Sequence, residues 1–146
     1  MIVGIVGSEE AKFTYEGRIA ARTIILGILS DPAVIEVVSG GCHLGGIDQW
    51  AAELGRERGL RVIEFLPDCL SWENGYKPRN LRIADRSDVV HCITVDKLPL
   101  AFEGMRFDLC YHCGTKDHVK SGGCWTMKQA VKRGKLGELH VVRYLI

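Results

Sequence analysis

Cys110, Cys113, His118 and Cys124 bring three thiol sulfurs and one imidazole together within residues 110–124. Such a donor set suits tetrahedral zinc, whose ligands are thiolate and imidazole. The spacing is C-x2-C-x4-H-x5-C. It resembles the zinc knuckle, C-x2-C-x4-H-x4-C, with one residue more in the last gap. Gly114 follows the second cysteine and permits the tight turn that aims backbone N–H groups at thiolates. With four protein ligands such a zinc would be structural, leaving no open position for catalysis. His112 is a reserve ligand. The alternative is a loop of ordinary small residues with His112 and His118 on its surface. The charged, irregular surroundings are expected to bury little, so a metal would order what packing cannot. Of the other cysteines, Cys92 reads as core, and Cys42 would be reactive only where a helix terminus favours its thiolate.

A second group of residues suits anion binding. Gly7-Ser8 follows one strand-like run, Ser39-Gly40-Gly41 through Gly45-Gly46-Ile47-Asp48 follows another, and Ser121-Gly122-Gly123 with Thr126 opens a helix-like run. Glycine lets backbone amides approach a ligand closely, and a helix N-terminus adds the positive end of its dipole. Ser8, Ser39 and Thr126 are candidate hydroxyl donors. Asp48 would cap its helix or contact a ribose hydroxyl, capping being the simpler role. Arg79 and Asn80 are either a solvated pair or a clamp, with the guanidinium bidentate to phosphate. The alternative for the glycines is that they serve tight turns and helix–sheet packing alone.

These residues must be positioned by elements that can be read from periodicity. Apolar runs at 2–6, 34–38, 61–66, 89–95 and 138–145 predict strands. Helical spacing predicts helices at 16–30, from Ile47 to an end at Gly59, at 79–86 and at 123–133. Residues 68–78 and 96–122 predict loops. Strands alternating with helices imply an α/β chain, a Rossmann-like three-layer αβα sandwich around a mostly parallel five-stranded sheet. The 146 residues suit one domain, with the knuckle-like loop at 110–124 inside it. A net charge of +1 argues against a nucleic-acid partner, which calls for a basic face. No apolar run would span a bilayer, and Met1 leads straight into a strand, so the cytoplasm is the expected compartment with no membrane partner. Homo-oligomerisation is left open.

The ordered set of Gly7-Ser8, S-G-G at 39–41, Gly45-Gly46-Ile47-Asp48, Pro67, Arg79-Asn80 and Gly122-Gly123 resembles the SLOG superfamily, closest to its small YspA-like proteins, over nearly the whole chain. The resemblance implies a Rossmann-like fold with the first strand central, and nucleotide or nucleotide-derived ligands. Members include enzymes, ligand sensors and a DNA-processing protein, so the fold alone leaves the activity undecided. The superfamily's cytokinin-activating enzymes carry P-G-G-x-G-T-x-x-E. Here the matching stretch keeps Gly122, Gly123 and Thr126 but has Trp125 and Gln129 for the later glycine and the glutamate. A glutamine cannot act as a carboxylate base.

Three functions follow. The first is binding or sensing of a nucleotide-derived small molecule through the glycine loops, with structural zinc as cofactor. The second is hydrolysis of an N-glycosidic or phosphoester bond, for which Glu9, Glu16 and Asp48 are the carboxylates near the loops. The third is nucleic-acid binding through the knuckle, with Lys116, Lys120 and Lys128 as cations and Trp125 as a stacking platform.

Overall fold

The computed structural model describes residues 1–144, and all five strands within it pair in parallel. They are β1 (Ile2–Gly7), β2 (Glu36–Ser39), β3 (Arg61–Glu64), β4 (Val89–Val95) and β5 (Leu136–Val142), in the spatial order β3-β2-β1-β4-β5. The expectation of a mostly parallel sheet is therefore met in full, with β1 at the centre. The last strand begins at Leu136, two residues before Glu138. Leu145, given to that strand by the periodicity, lies outside the described residues.

Each strand alternates between two apolar layers. Val3 and Ile5 of β1 join Ile93 and Val95 of β4 beneath α1 (Tyr15–Leu29) and α2 (Ile47–Glu57). Val6, Val90 and Cys92 pack on the opposite face against α3 (Lys77–Arg86) and α4 (Gly122–Lys132). This is the three-layer arrangement that buries both faces of a parallel sheet.

Local chemistry sets the helix limits. The Gly17 N–H donates to Thr14 Oγ1 (3.0 Å) at the start of α1, and the Gly123 N–H donates to Ser121 Oγ (3.1 Å) at the start of α4. Gly59 and Gly134 end α2 and α4 with φ of 73° and 78°, the left-handed conformation that terminates helices. α3 starts at Lys77, with Pro78 in its first turn, and the preceding loop holds a π-helical turn over Trp72–Tyr76.

The segment 96–121 is irregular, as expected, but it buries more than its charge suggested. Leu98 and Val119 are buried in the α1-side core, and Phe102 and Phe107 pack against it. The Val119 N–H donates to the Val95 carbonyl (2.8 Å), so the returning arm of the loop is tied to the end of β4. Arg106 donates to the carbonyls of Pro99 and Phe102 at 3.1 and 3.0 Å and closes the outer half of the segment. Packing, rather than a metal alone, orders this region. Among the described residues no helix is long and apolar enough to cross a membrane.

Candidate functional site

The sheet changes direction between β1 and β4, where successive connections run to opposite faces. Ligands in open α/β sheets bind at the carboxyl ends of strands at such a point. A cleft of about 360 Å³ lies there. Gly7, Ser8, Asp48, Arg79, Asn80, Gly122, Gly123 and Thr126 all line it. Eight of the residues singled out in the sequence are thus brought together. Ser39, Gly40, Gly41, Gly45 and Gly46 are not part of the lining. They build its wall. Gly41, Gly45 and Gly46 take positive φ of 57°, 76° and 89° through the loop before α2. Gly40 lies against the Arg79 guanidinium and Asp48 Oδ2, where a Cβ would collide with both.

The hydroxyls do not serve as expected. Ser39 Oγ donates to the Asp48 carbonyl (3.0 Å), and Thr126 Oγ1 donates to the Gly122 carbonyl (3.3 Å). Thr94 Oγ1 donates to the Val119 carbonyl (2.8 Å), so in its 3.0 Å pair with Ser8 Oγ the Ser8 hydroxyl is the donor. All three predicted hydroxyl donors are committed inside the protein.

Cations supply what the hydroxyls do not. Arg79 and Asn80 are not a solvated pair: both are buried. Arg79 Nε donates to Asn80 Oδ1 (2.7 Å), and Nη1 donates to the Gly40 carbonyl (2.5 Å). The guanidinium lies over the Tyr76 ring, 5.4 Å from its centroid. Its Nη2 donates no hydrogen bond among the described residues. Lys12 and Lys120 also line the cleft, and among the described residues neither forms an ion pair. Burial pushes the Lys12 ammonium below its ordinary range, with Glu9 opposing that shift. Sequence reasoning missed Lys12. It sits in a short 3-10 turn, Glu10–Lys12, with no local pattern to mark it.

Asp48 does not cap α2. Gly46 occupies the cap position with no side-chain bond. Asp48 is in the first turn, buried, and its Oδ1 has no hydrogen-bond partner. Burial pushes its carboxyl up to about 6, against the pull of Arg79. Of the other candidate carboxylates, Glu9 lines the cleft and Glu16 lies exposed on α1. Gln129 is outside the lining and faces Arg133, whose Nη1 donates to its Oε1 (3.4 Å). Cys42 lines the cleft, but burial pushes its thiol up, away from reactivity.

The four predicted metal ligands converge. One donor atom from each of Cys110, Cys113, His118 and Cys124 lies within 4.8 Å of the others. The Cys110–Cys113 turn is closed by the Cys110 N–H donating to the Thr115 carbonyl (3.0 Å) and the Gly114 N–H donating to the Cys110 carbonyl (2.9 Å). Gly114 has φ of 69°, as a tight turn there requires. His118 is buried, and its Nε2 is 3.7 Å from Cys124 Sγ. Tetrahedral zinc with bonds of ~2.3 Å to sulfur and ~2.0 Å to nitrogen sets such donors roughly 3.5 Å apart. His118 Nδ1 meets Asp117 Oδ1 at 2.7 Å. That contact fixes the ring with Nε2 toward the sulfurs, the outer-shell arrangement of histidine ligands. Burial, together with Cys124 and Cys110, pushes the Cys113 thiol up to about 12. Crowded thiols of this kind give up their protons to a cation that replaces them. The group can hold a metal ion. Cys92 is core, as expected, and sits beside the group with its Sγ 3.7 Å from Cys124 Sγ. His112 is outside the group and packs against Tyr111, with ring centroids 4.5 Å apart.

Fold and site together define a Rossmann-like α/β sandwich carrying a Cys/His cluster able to hold a metal ion. No family model matches the chain, and no curated protein matches it.

Proposed function

We propose that the chain binds or senses a nucleotide or nucleotide-derived ligand, and that Cys110, Cys113, His118 and Cys124 hold a structural zinc beside the binding cleft. The observation that carries the reading is a group of cleft donors that lie over aromatic rings and donate no hydrogen bond among the described residues. Lys12, Lys120 and Arg79 Nη2 meet there with the N-terminus of α4, where the Gly122 N–H makes no hydrogen bond among the described residues. A helix N-terminus surrounded by unpaired cations favours a phosphate. A second groove, of about 450 Å³, shares Trp72, Lys120 and Gly122 with the cleft and adds Tyr111 and Trp125. Trp72 and Trp125 meet edge to face at 4.8 Å. This groove offers a base its aromatic surface while the phosphate lies over α4. The resemblance to the SLOG superfamily points the same way. Zinc suits the donor set better than a harder ion, because three of its four members are sulfur. A reducing compartment such as the cytoplasm fits six unpaired cysteines.

The test is thermal denaturation with nucleoside phosphates, cyclic and dinucleotide messengers, and inorganic phosphate. A ligand present at a hundred times its Kd stabilises by about 2.7 kcal/mol. The expected result is stabilisation by at least one nucleotide, cut to about half in Lys120→Gln at the same ligand concentration. No stabilisation by any of them overturns the reading.

Asp48 supports a second reading, hydrolysis of an N-glycosidic or phosphoester bond. A buried carboxylate in the cleft, poised at about 6 with an unpartnered oxygen, suits a general base. Release of base or phosphate from a bound nucleotide, abolished in Asp48→Asn, selects this reading. Binding without turnover selects the first.

A further inference from the structure

On the far side of the sheet from the cysteine cluster, the α1-facing positions of the last two strands are interrupted. Along β4 they read Val89, His91, Ile93, Val95, and along β5 they read Leu136, Glu138, His140, Val142. Strand pairing sets His91 opposite Glu138 and Ile93 opposite His140. Three polar residues therefore meet on one face of an otherwise apolar row. We propose that His91, Glu138 and His140 form a second metal site, for a divalent first-row transition ion held by two imidazoles and one carboxylate.

The distances fit that chemistry. His91 Nδ1 and His140 Nε2 are 3.0 Å apart, and Glu138 Oε2 is 3.4 Å from His91 Nδ1 and 3.9 Å from His140 Nε2. An ion with bonds of about 2.0–2.2 Å to nitrogen and oxygen spaces its donors by roughly 3.0 Å at right angles and 3.4 Å at tetrahedral angles. Without an ion, the two ring nitrogens share one proton in a hydrogen bond, and an ion would take that proton's place. The two histidines point different nitrogens at the same spot, so the contact is a convergence and not a repeat of one rotamer.

Burial makes the arrangement more than a surface ion pair. His91 is 7% exposed, and its polar partners in the structure are His140 and Glu138. The strands bring the side chains together, so the site has a rigid base. Its open side faces a groove of about 490 Å³ beside Ile24, Gly27 and Ile28 of α1. A Cβ at Gly27 would meet nothing within 4 Å, so the helix leaves that space free. The other charged groups at the groove are Asp31 and the Met1 amino group, the latter donating to the Ala33 carbonyl (2.6 Å). Three protein donors with room above them leave coordination positions for water or an anionic ligand, unlike the closed cysteine group.

Cobalt(II) titration of the reduced, metal-stripped full chain separates the two sites. An ion at the cysteine group shows sulfur-to-metal charge transfer. An ion at His91, Glu138 and His140 shows only weak ligand-field bands. The expected result is a component of the second kind that saturates at one equivalent. Glu138→Gln should weaken it at least tenfold and His140→Ala should abolish it, with the sulfur-bound component untouched in both. Glu138 is exposed, so its variant remains a fair test should the histidine variant fail to fold. Absence of a sulfur-free component in the parent chain, or its persistence unchanged in Glu138→Gln, overturns the proposal.

Discussion

Asp48 buries a carboxylate with one oxygen, Oδ1, lacking a hydrogen-bond partner and, among the described residues, with no ion pair within 4 Å. Its carboxyl is pushed from 3.8 up to about 6, so between those values the folded chain holds a proton that the unfolded chain has released. Stability should therefore fall as pH rises through this window, with the full cost present above about pH 6. That cost is on the order of 3 kcal/mol. Asp48→Asn removes the carboxylate. The stability gained by the variant, read from urea denaturation, should be small near pH 4 and reach its full size near pH 7. A difference independent of pH would show that burial does not strain this group. The lysines act in the opposite sense, toward a ligand. Lys12→Gln and Lys120→Gln should each weaken nucleotide binding by about tenfold, which is ~1.4 kcal/mol. Because both are partly open to solvent, the loss should shrink as salt is raised.

At the start of α4, two adjacent glycines do different work. Gly122 borders the cleft with open space where a Cβ would stand. Gly123 packs on β1 and β4, and a Cβ there would lie 2.9 Å from the Gly7 nitrogen and 3.0 Å from Cys92 Sγ. Gly122→Leu should leave the melting temperature within the small range of surface changes, about 0.5 kcal/mol, and abolish the nucleotide-dependent rise. Gly123→Ala should instead destabilise the protein by roughly 1–3 kcal/mol, the cost of overpacking, before any ligand is added. Equal melting temperatures for the two variants would contradict the close approach of α4 to β1.

Across the molecule, the cysteine group joins the loop after β4 to the helix that opens the cleft. Cys110 and Cys113 lie in the loop, while Cys124 is in the first turn of α4, next to Gly122 and Gly123. Metal removal should therefore loosen the loop and weaken ligand binding together. Hydrogen exchange on the stripped chain should speed up first at the amides of Cys110, Gly114 and Thr115, which close the turn. Leu98 and Val119 should keep the rest of the segment docked, because they are buried in the core in their own right. Unchanged exchange at the turn after metal removal would deny the group a structural role.

The five strands and four helices were legible because their causes are local, apolar alternation, helical spacing and a glycine past a helix end, whereas starts such as Glu36, Lys77 and Leu136 differ by two residues from those the pattern gave. The cysteine group was legible for the same reason, since its four members lie within residues 110–124 and a single turn sets two of them. Convergence of Gly7, Arg79 and Gly122 was legible only as an expectation from strand alternation. Other features came from tertiary structure alone. Whether Ser8, Ser39 and Thr126 are free to donate depends on which carbonyl or hydroxyl stands next to each, and Thr94 and Val119 are far from Ser8 in the chain. The burial of Asp48 and Arg79 depends on loops closing over them. Lys12 enters the cleft through the turn after β1, and His91 meets Glu138 and His140 only because β4 and β5 pair in that register. Local pattern reports the backbone conformation a residue prefers, whereas the partner its side chain finds is set by contacts between segments distant in sequence.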